Sequence, residues 1–294
     1  MSHQESFIHY LKYEKRNSSH TVVAYRNDLE QFEAFCREVS GGFDVKNINR
    51  KLIREWVVYL MGKGLTPRSV RRKISSLKAF YKYLVRLEVV DAAPVFDVPL
   101  PKVRKKLPLF VEENRLNHLL DDGYFTADFP GIRDKLVIAL LYGTGIRLSE
   151  LLSLTGSQVD LDYCQIKVTG KRNKQRIIPF PFSMKMQIGD YLKARSEAFG
   201  TVSGPLIVTD KGDPAYEKLI YRIVHNYLAK VTLIEKRSPH VLRHTYATHL
   251  LNKGADLNAV KELLGHANLS ATEVYTHTTF EKLHNIYQQA HPRG

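Results

Sequence analysis

Cysteine is scarce in this chain: Cys36 and Cys164 are the only two among 294 residues. Two thiols exclude a disulfide framework, and such usage suits a reducing cytoplasm. Long apolar runs are lacking too. The longest, LVIALLY at Leu136–Tyr142, falls far short of the ~20 residues that span a bilayer, so no membrane partner is expected. The N-terminal MSHQESFIHYLKYEKR has no secretion-signal pattern. Internal repeats and low-complexity tracts are missing, which excludes solenoids and disordered arrays. No G-x-x-x-x-G-K-[ST] stretch occurs, so ATP is not indicated. Acidic residues are also short in supply, 30 Asp and Glu against 44 Lys and Arg, for a net charge of +14. The excess is shared: 17 basic against 11 acidic residues in the first hundred, and 27 against 19 in the remainder. A long polyanion gripped from two sides fits that balance.

What is present begins with helical periodicity. In SSHTVVAYRNDLEQFEAFCREV, the residues Val22, Tyr25, Leu29, Phe32 and Cys36 recur at spacings of three and four, so Cys36 belongs to a core stripe. RKLIREWVVYLMGKG follows and stops at glycines. The next run, TPRSVRRKISSLKAFYKYLVRLEVV, opens with Thr66 as cap and Pro67 at the first helical position. Val70, Ile74, Leu77, Phe80 and Leu84 form its apolar stripe, while Arg68, Arg71, Lys78, Lys82 and Arg86 follow a second face. No acidic residue interrupts it from Arg68 to Leu87, and Arg68, Arg71, Arg72, Lys78 and Lys82 are expected DNA contacts.

Four prolines and four basic residues crowd DAAPVFDVPLPKVRKKLP, Asp91–Pro108, which reads as an extended linker. It separates an expected helical domain at 1–99 from a domain at 109–294, with 100–108 as the basic Pro-rich connection. The second part is mixed. Helical patterns cover Val111–Asp122, Gly131–Tyr142, the RLSELLSL run after Gly145, Met184–Phe199 and Tyr216–Val231. CQIKVTG and QRIIPF are short β-rich runs flanking KRNK, a hairpin with Lys171 near its turn. Ser238–Gly254 then reads as a helix with Ser238 as N-cap and Pro239 at the first position. ADLNAVKELLGH follows. Ser270 and Glu273 are spaced as a capping box, and TFEKLHNIYQQA is amphipathic.

The Ser238–Gly254 stretch carries the chemistry. His240 and His244 stand four apart, as in a helical metal site, but HVLRH has Val241 where a zinc protease places its glutamate. Arg243 lies between the imidazoles and repels a cation, so no metal is expected. A phosphate is the better guest, because Arg243 offers a planar fork and His240 shares its face. His244 and His249 are expected to pack. Arg147 follows a Gly-Thr-Gly bend at the start of another helix, a second anion-favouring position. For a nucleophile, GHANLSATEVYTH places Tyr275 nine residues after His266. A tyrosine hydroxyl, with pKa about 10, needs cationic surroundings to attack at neutral pH. A lysine on a hairpin, Lys171, suits the proton donor to a leaving alkoxide.

In order, the chain presents GTGIRLSELLSL, VTGKRNKQRIIPF, SPHVLRHTYATHLL and LLGHANLSATEVYTH. Together these resemble the tyrosine recombinase (lambda integrase) family, most closely its Xer members, and the resemblance extends over nearly the whole chain. It implies a mainly α fold: an N-terminal helical core-binding (SAM-like) domain, then an α-rich catalytic domain with a small β-sheet or hairpin. It implies a catalytic set of Arg147, Lys171, His240, Arg243, His266 and Tyr275, with Glu150 as support and no cofactor. Arg172 departs from the glycine common at that position in Xer relatives. An extra arm-type DNA-binding domain is not expected. The implied partners are a double-stranded DNA recombination site, a homotetramer or a heterotetramer with a second recombinase, and a DNA translocase. In the family the terminal helix docks into the neighbouring subunit. Chromosome dimer resolution is the expected role; integration or inversion of a mobile element is the alternative. Outside the class stand a non-catalytic DNA-binding protein and a metal-dependent nuclease.

Overall fold

A computed structural model describes residues 2–103, 109–121, 123–170, 175–200, 203–265 and 290. The chain folds as two compact units, Met1–Lys106 and Leu107–Gly294.

The first unit is helical among its described residues. It runs through α1 (His3–His9), a π-helical turn at Tyr10–Glu14, α2 (Ser19–Ser40), α3 (Arg50–Gly62) and α4 (Pro67–Arg86). The first of these has no counterpart in the periodicity reading. Ser2 and Glu5 close a capping box around its N-terminus. Thr66 caps α4 by accepting from the Ser69 amide at 3.2 Å, and Pro67 takes the first position. All five apolar stripe residues of α4 are at most 1% exposed. They pack with Phe7, Phe32 and Trp56, and the Phe32 and Trp56 rings lie 4.8 Å apart.

A buried charge ties α2 to α4. Asp28 is 1% exposed and accepts from Arg72 at 2.5 and 2.7 Å, Lys73 at 2.9 Å and Ser76 at 2.7 Å. The basic run of α4 is therefore not without an acidic neighbour, as its sequence suggests. A carboxylate 44 residues upstream meets Arg72, whose side chain nevertheless stays 52% exposed.

The second unit is built on α6 (Phe129–Thr144), whose residues Leu136 to Thr144 are all buried. A helix apolar all round belongs in a core, and α8 (Phe182–Phe199), α9 (Glu217–Val231) and α10 (Pro239–Asn252) pack against it. α5 (Glu113–Asp121), α7 (Leu148–Ser153), α11 (Leu257–Leu264) and a 3-10 turn at Gly156–Gln158 are further described helices of this unit. A three-stranded antiparallel sheet joins β1 (Val159–Asp160), β2 (Gln165–Thr169) and β3 (Gln175–Pro179) in that order. The β2–β3 pairing is the expected hairpin. β1 escapes the sequence reading because two residues carry no alternation. In register, Val168 stands opposite Arg176 and Ile166 opposite Ile178. The capping box at Ser270, the tail apart from the buried Ala290, and residues 104–108 of the linker lie outside the described residues.

Candidate active site

α6 ends at Gly145, which adopts φ +60° and delivers the chain to α7. A Cβ there would lie 2.4 Å from Cδ1 of the Tyr246 ring, so both the left-handed backbone and the close approach require glycine. Two residues on, Arg147 occupies the N-cap position of α7. Its amide donates to Glu150 Oε2 at 2.8 Å and its Nη1 to Glu150 Oε1 at 2.9 Å. α7 has only six residues, so the ion pair rather than a helix dipole accounts for the charge here.

α10 supplies the second cation. Arg243 donates through Nη1 to the Gly145 carbonyl and through Nη2 to the Leu264 carbonyl, each at 2.5 Å. His240 lies one turn earlier and is exposed. The N-terminus of α10 departs from expectation, because Ser238 makes no side-chain capping bond and its buried Oγ has no partner among the described residues. His249 is buried as expected, its Nδ1 2.9 Å from the Tyr142 hydroxyl. His244 lies within 3.5 Å of Thr248 Oγ1. No group of three metal-ligating side chains occurs among the described residues.

A third arginine is one that sequence reasoning does not single out. Arg176 is 6% exposed on β3 and grips Glu150 with both terminal nitrogens, at 2.7 and 2.8 Å. Its Nε donates to the Leu263 carbonyl at 2.8 Å. The one available signal is its parity: in QRIIP, Arg176 shares the inward face of the strand with Ile178.

The end of α11 gathers all three guanidiniums. Leu263, Leu264 and Gly265 present consecutive carbonyls, which accept from Arg176, Arg243 and Arg147 respectively. The last carbonyls of a helix have no intrahelical donors and favour cations. Burial opposes a charge on Glu150, but hydrogen bonds from Arg176 and from the Arg147 amide and side chain hold its pKa at about 2. Arg243 is lowered to about 10 by burial and then by the like charges of Arg147 and Arg176, which leaves it protonated at neutral pH. Beneath them, full burial raises the Tyr246 hydroxyl above its ordinary value, and the close packing of its ring against Gly145 argues against it as an attacking oxygen.

The Phage integrase family matches residues 110–282, and the Phage integrase N-terminal SAM-like domain matches residues 5–88. The chain belongs to the phage integrase family. It is a tyrosine recombinase. It is 37% identical to tyrosine recombinase XerC of Chlorobaculum parvum, over 98% of this chain and 94% of that one. It is 38% identical to tyrosine recombinase XerC of Bacillus subtilis, over 98% and 95%. Among solved structures, XerH site-specific recombinase bound to palindromic difH substrate shares the fold at TM-score 0.71 and 22% identity, over 96% and 93% of the two chains.

Of the recombinase residues expected from sequence, Arg147 and Arg243 meet on adjacent carbonyls and His240 lies one turn from Arg243. Lys171, His266 and Tyr275 lie outside the described residues. On α4 in the first unit, Arg68, Arg71 and Lys82 are exposed, and Lys78 is half-buried with Nζ 5.6 Å from the centre of the Phe96 ring. Arg86 stacks on Tyr10, 4.2 Å from its ring centre. No described helix is long and apolar enough to cross a membrane.

Proposed function

We propose that this recombinase cuts and rejoins duplex DNA at a specific site through Tyr275. Its Oη attacks the scissile phosphorus, the bond to the 5′-oxygen breaks, and a 3′-phosphotyrosine forms. Lys171 gives the departing 5′-oxygen its proton. Arg147 and Arg243 bind the non-bridging oxygens and offset the charge of the pentavalent transition state. His240 assists as base or hydrogen-bond partner, and His266 donates a hydrogen bond to the phosphate. The covalent ester conserves the phosphodiester bond energy, so the 5′-hydroxyl of a second strand reverses the step without ATP or metal.

The observation that carries this reading is the convergence of Arg147 and Arg243 on the adjacent carbonyls of Leu264 and Gly265. The sequence continues from there directly into His266 and Tyr275. Residues 1–99 serve as the core-binding domain, which contacts DNA through Arg68, Arg71, Arg72, Lys78 and Lys82. Residues 109–294 carry the chemistry, and 100–108 connect them. A tetramer of this chain, or of this chain with a second recombinase, assembles on two duplexes in the cytoplasm. The role is Xer-type resolution of chromosome dimers, under a DNA translocase.

Tyr275→Phe tests the chemistry, since it removes only the nucleophilic oxygen. Sequencing the DNA that this variant retains from the genome identifies the site, and a single locus near the replication terminus is expected. On a nicked duplex carrying that site, the native protein forms a covalent band on a denaturing gel and Tyr275→Phe binds equally but forms none. A band that persists in the variant assigns the nucleophile elsewhere.

A further inference from the structure

The described part of the site contains a buried cation with no place in that mechanism. Arg176 is buried, and its guanidinium is divided between two elements far apart in sequence. Its terminal nitrogens hold both oxygens of Glu150, on α7, while Nε holds the Leu263 carbonyl at the end of α11. Glu150 in turn takes the amide and Nη1 of Arg147. The neighbouring carbonyls of Leu264 and Gly265 are those on which Arg243 and Arg147 rest.

We propose that Arg176 is a positioning residue, a brace that sets Arg147 through Glu150 and fixes the carbonyl end of α11 on which Arg147 and Arg243 converge. The fork geometry is what suits arginine to this place. Two parallel bonds to one carboxylate and a third from Nε require a planar group, and a lysine ammonium reaches at most part of that set. The space is fitted as well: a Cβ on Gly265 would lie 3.0 Å from Arg176 Nη1, at a backbone φ of +64° that already favours glycine. Gly265 therefore passes directly over the guanidinium. Displacing that turn removes one carbonyl acceptor from each of the three arginines at once. Arg176 thereby couples the phosphate grip to the segment that leads to His266 and Tyr275, so the site is complete only with the end of α11 in place.

This inference rests on the recombinase chemistry proposed above, and its test keeps the two distinguishable. Arg176→Lys, Glu150→Gln and the double variant are compared with the native full-length protein on the nicked site duplex. Binding, melting temperature and the rate of covalent-complex formation are measured for each. Arg176→Lys is expected to bind within about threefold of native and to cleave about 30-fold or more slowly. Because the two residues act as one unit, the double variant is expected to cleave no slower than the worse single variant by more than about threefold. A duplex with a neutral methylphosphonate at the scissile position removes the charge the arginines serve, so the gap between native and Arg176→Lys is expected to narrow by about tenfold or more. An equal gap on both substrates, or multiplicative losses in the double variant, overturns the positioning role. So does a rate that merely follows the melting temperature. If Arg176→Lys does not fold, Glu150→Gln on the two substrates decides the question by the same comparison. If the native protein itself forms no covalent complex, the recombinase mechanism fails instead.

Discussion

Gly145 passes so close to Tyr246 that any side chain on it would enter the ring. Its carbonyl accepts Arg243, and its left-handed turn sends the chain into Arg147. One glycine thus places both arginines. Gly145→Ala is expected to cost about 1–3 kcal/mol from backbone strain alone, before the ring contact is relieved. Covalent-complex formation should fall further than the melting temperature explains. Calorimetry and the gel assay together check this; a variant with native stability and native cleavage refutes it.

Lys171→Ala is expected to slow cleavage by about 100-fold or more, the scale of a lost general acid. Sulfur at the 5′-bridging position leaves without a proton and should restore much of the rate in the variant. Equal effects of sulfur on variant and native protein remove Lys171 from that role.

Arg71, Lys78 and Lys82 replaced together by alanine should weaken binding to all sequences. Three lost phosphate contacts reduce the log–log salt slope by about 2.7. Arg72 also pairs with the buried Asp28. Arg72→Ala should therefore lower the melting temperature as well as reduce the salt slope, by about 0.9. Filter-binding titrations across salt decide both; an unchanged slope in the triple variant makes the stripe an ordinary solvated face.

Glu150 predicts a direction with pH. Its folded value of about 2 lies below the ordinary ~4.3 of a glutamate in an unfolded chain. Between those values the unfolded state binds more protons, so stability rises with pH there. The contribution is complete above about pH 4.3 and is lost as pH falls toward about 2. Glu150→Gln should be destabilised at neutral pH, because Arg176 loses its buried counter-charge. It should also lose less stability than native protein between about pH 5 and about pH 2.5. Parallel melting curves in the two proteins would argue against the ion pair.

The amino-acid order alone was enough for most of what repeats over one or two turns, the short α1 excepted. The apolar stripe of α4, its Thr66 cap and the hairpin of β2 and β3 were legible because periodicity and turn chemistry are local. Arg147 and Arg243 were legible as candidate phosphate ligands because the Gly-Thr-Gly bend and the H-x-x-R spacing are local as well. The pairing of partners emerges only when the elements pack. Arg72 meets a carboxylate on another helix, and Ser238 occupies its cap position without making the bond that its residue type suggests. Arg176 meets Glu150 across 26 residues and Leu263 across 87, and Arg147 meets Gly265 across 118. Nothing periodic encodes such distances. A buried charge and the open carbonyls at a helix end each need a partner, and packing the elements together decides which side chain supplies it.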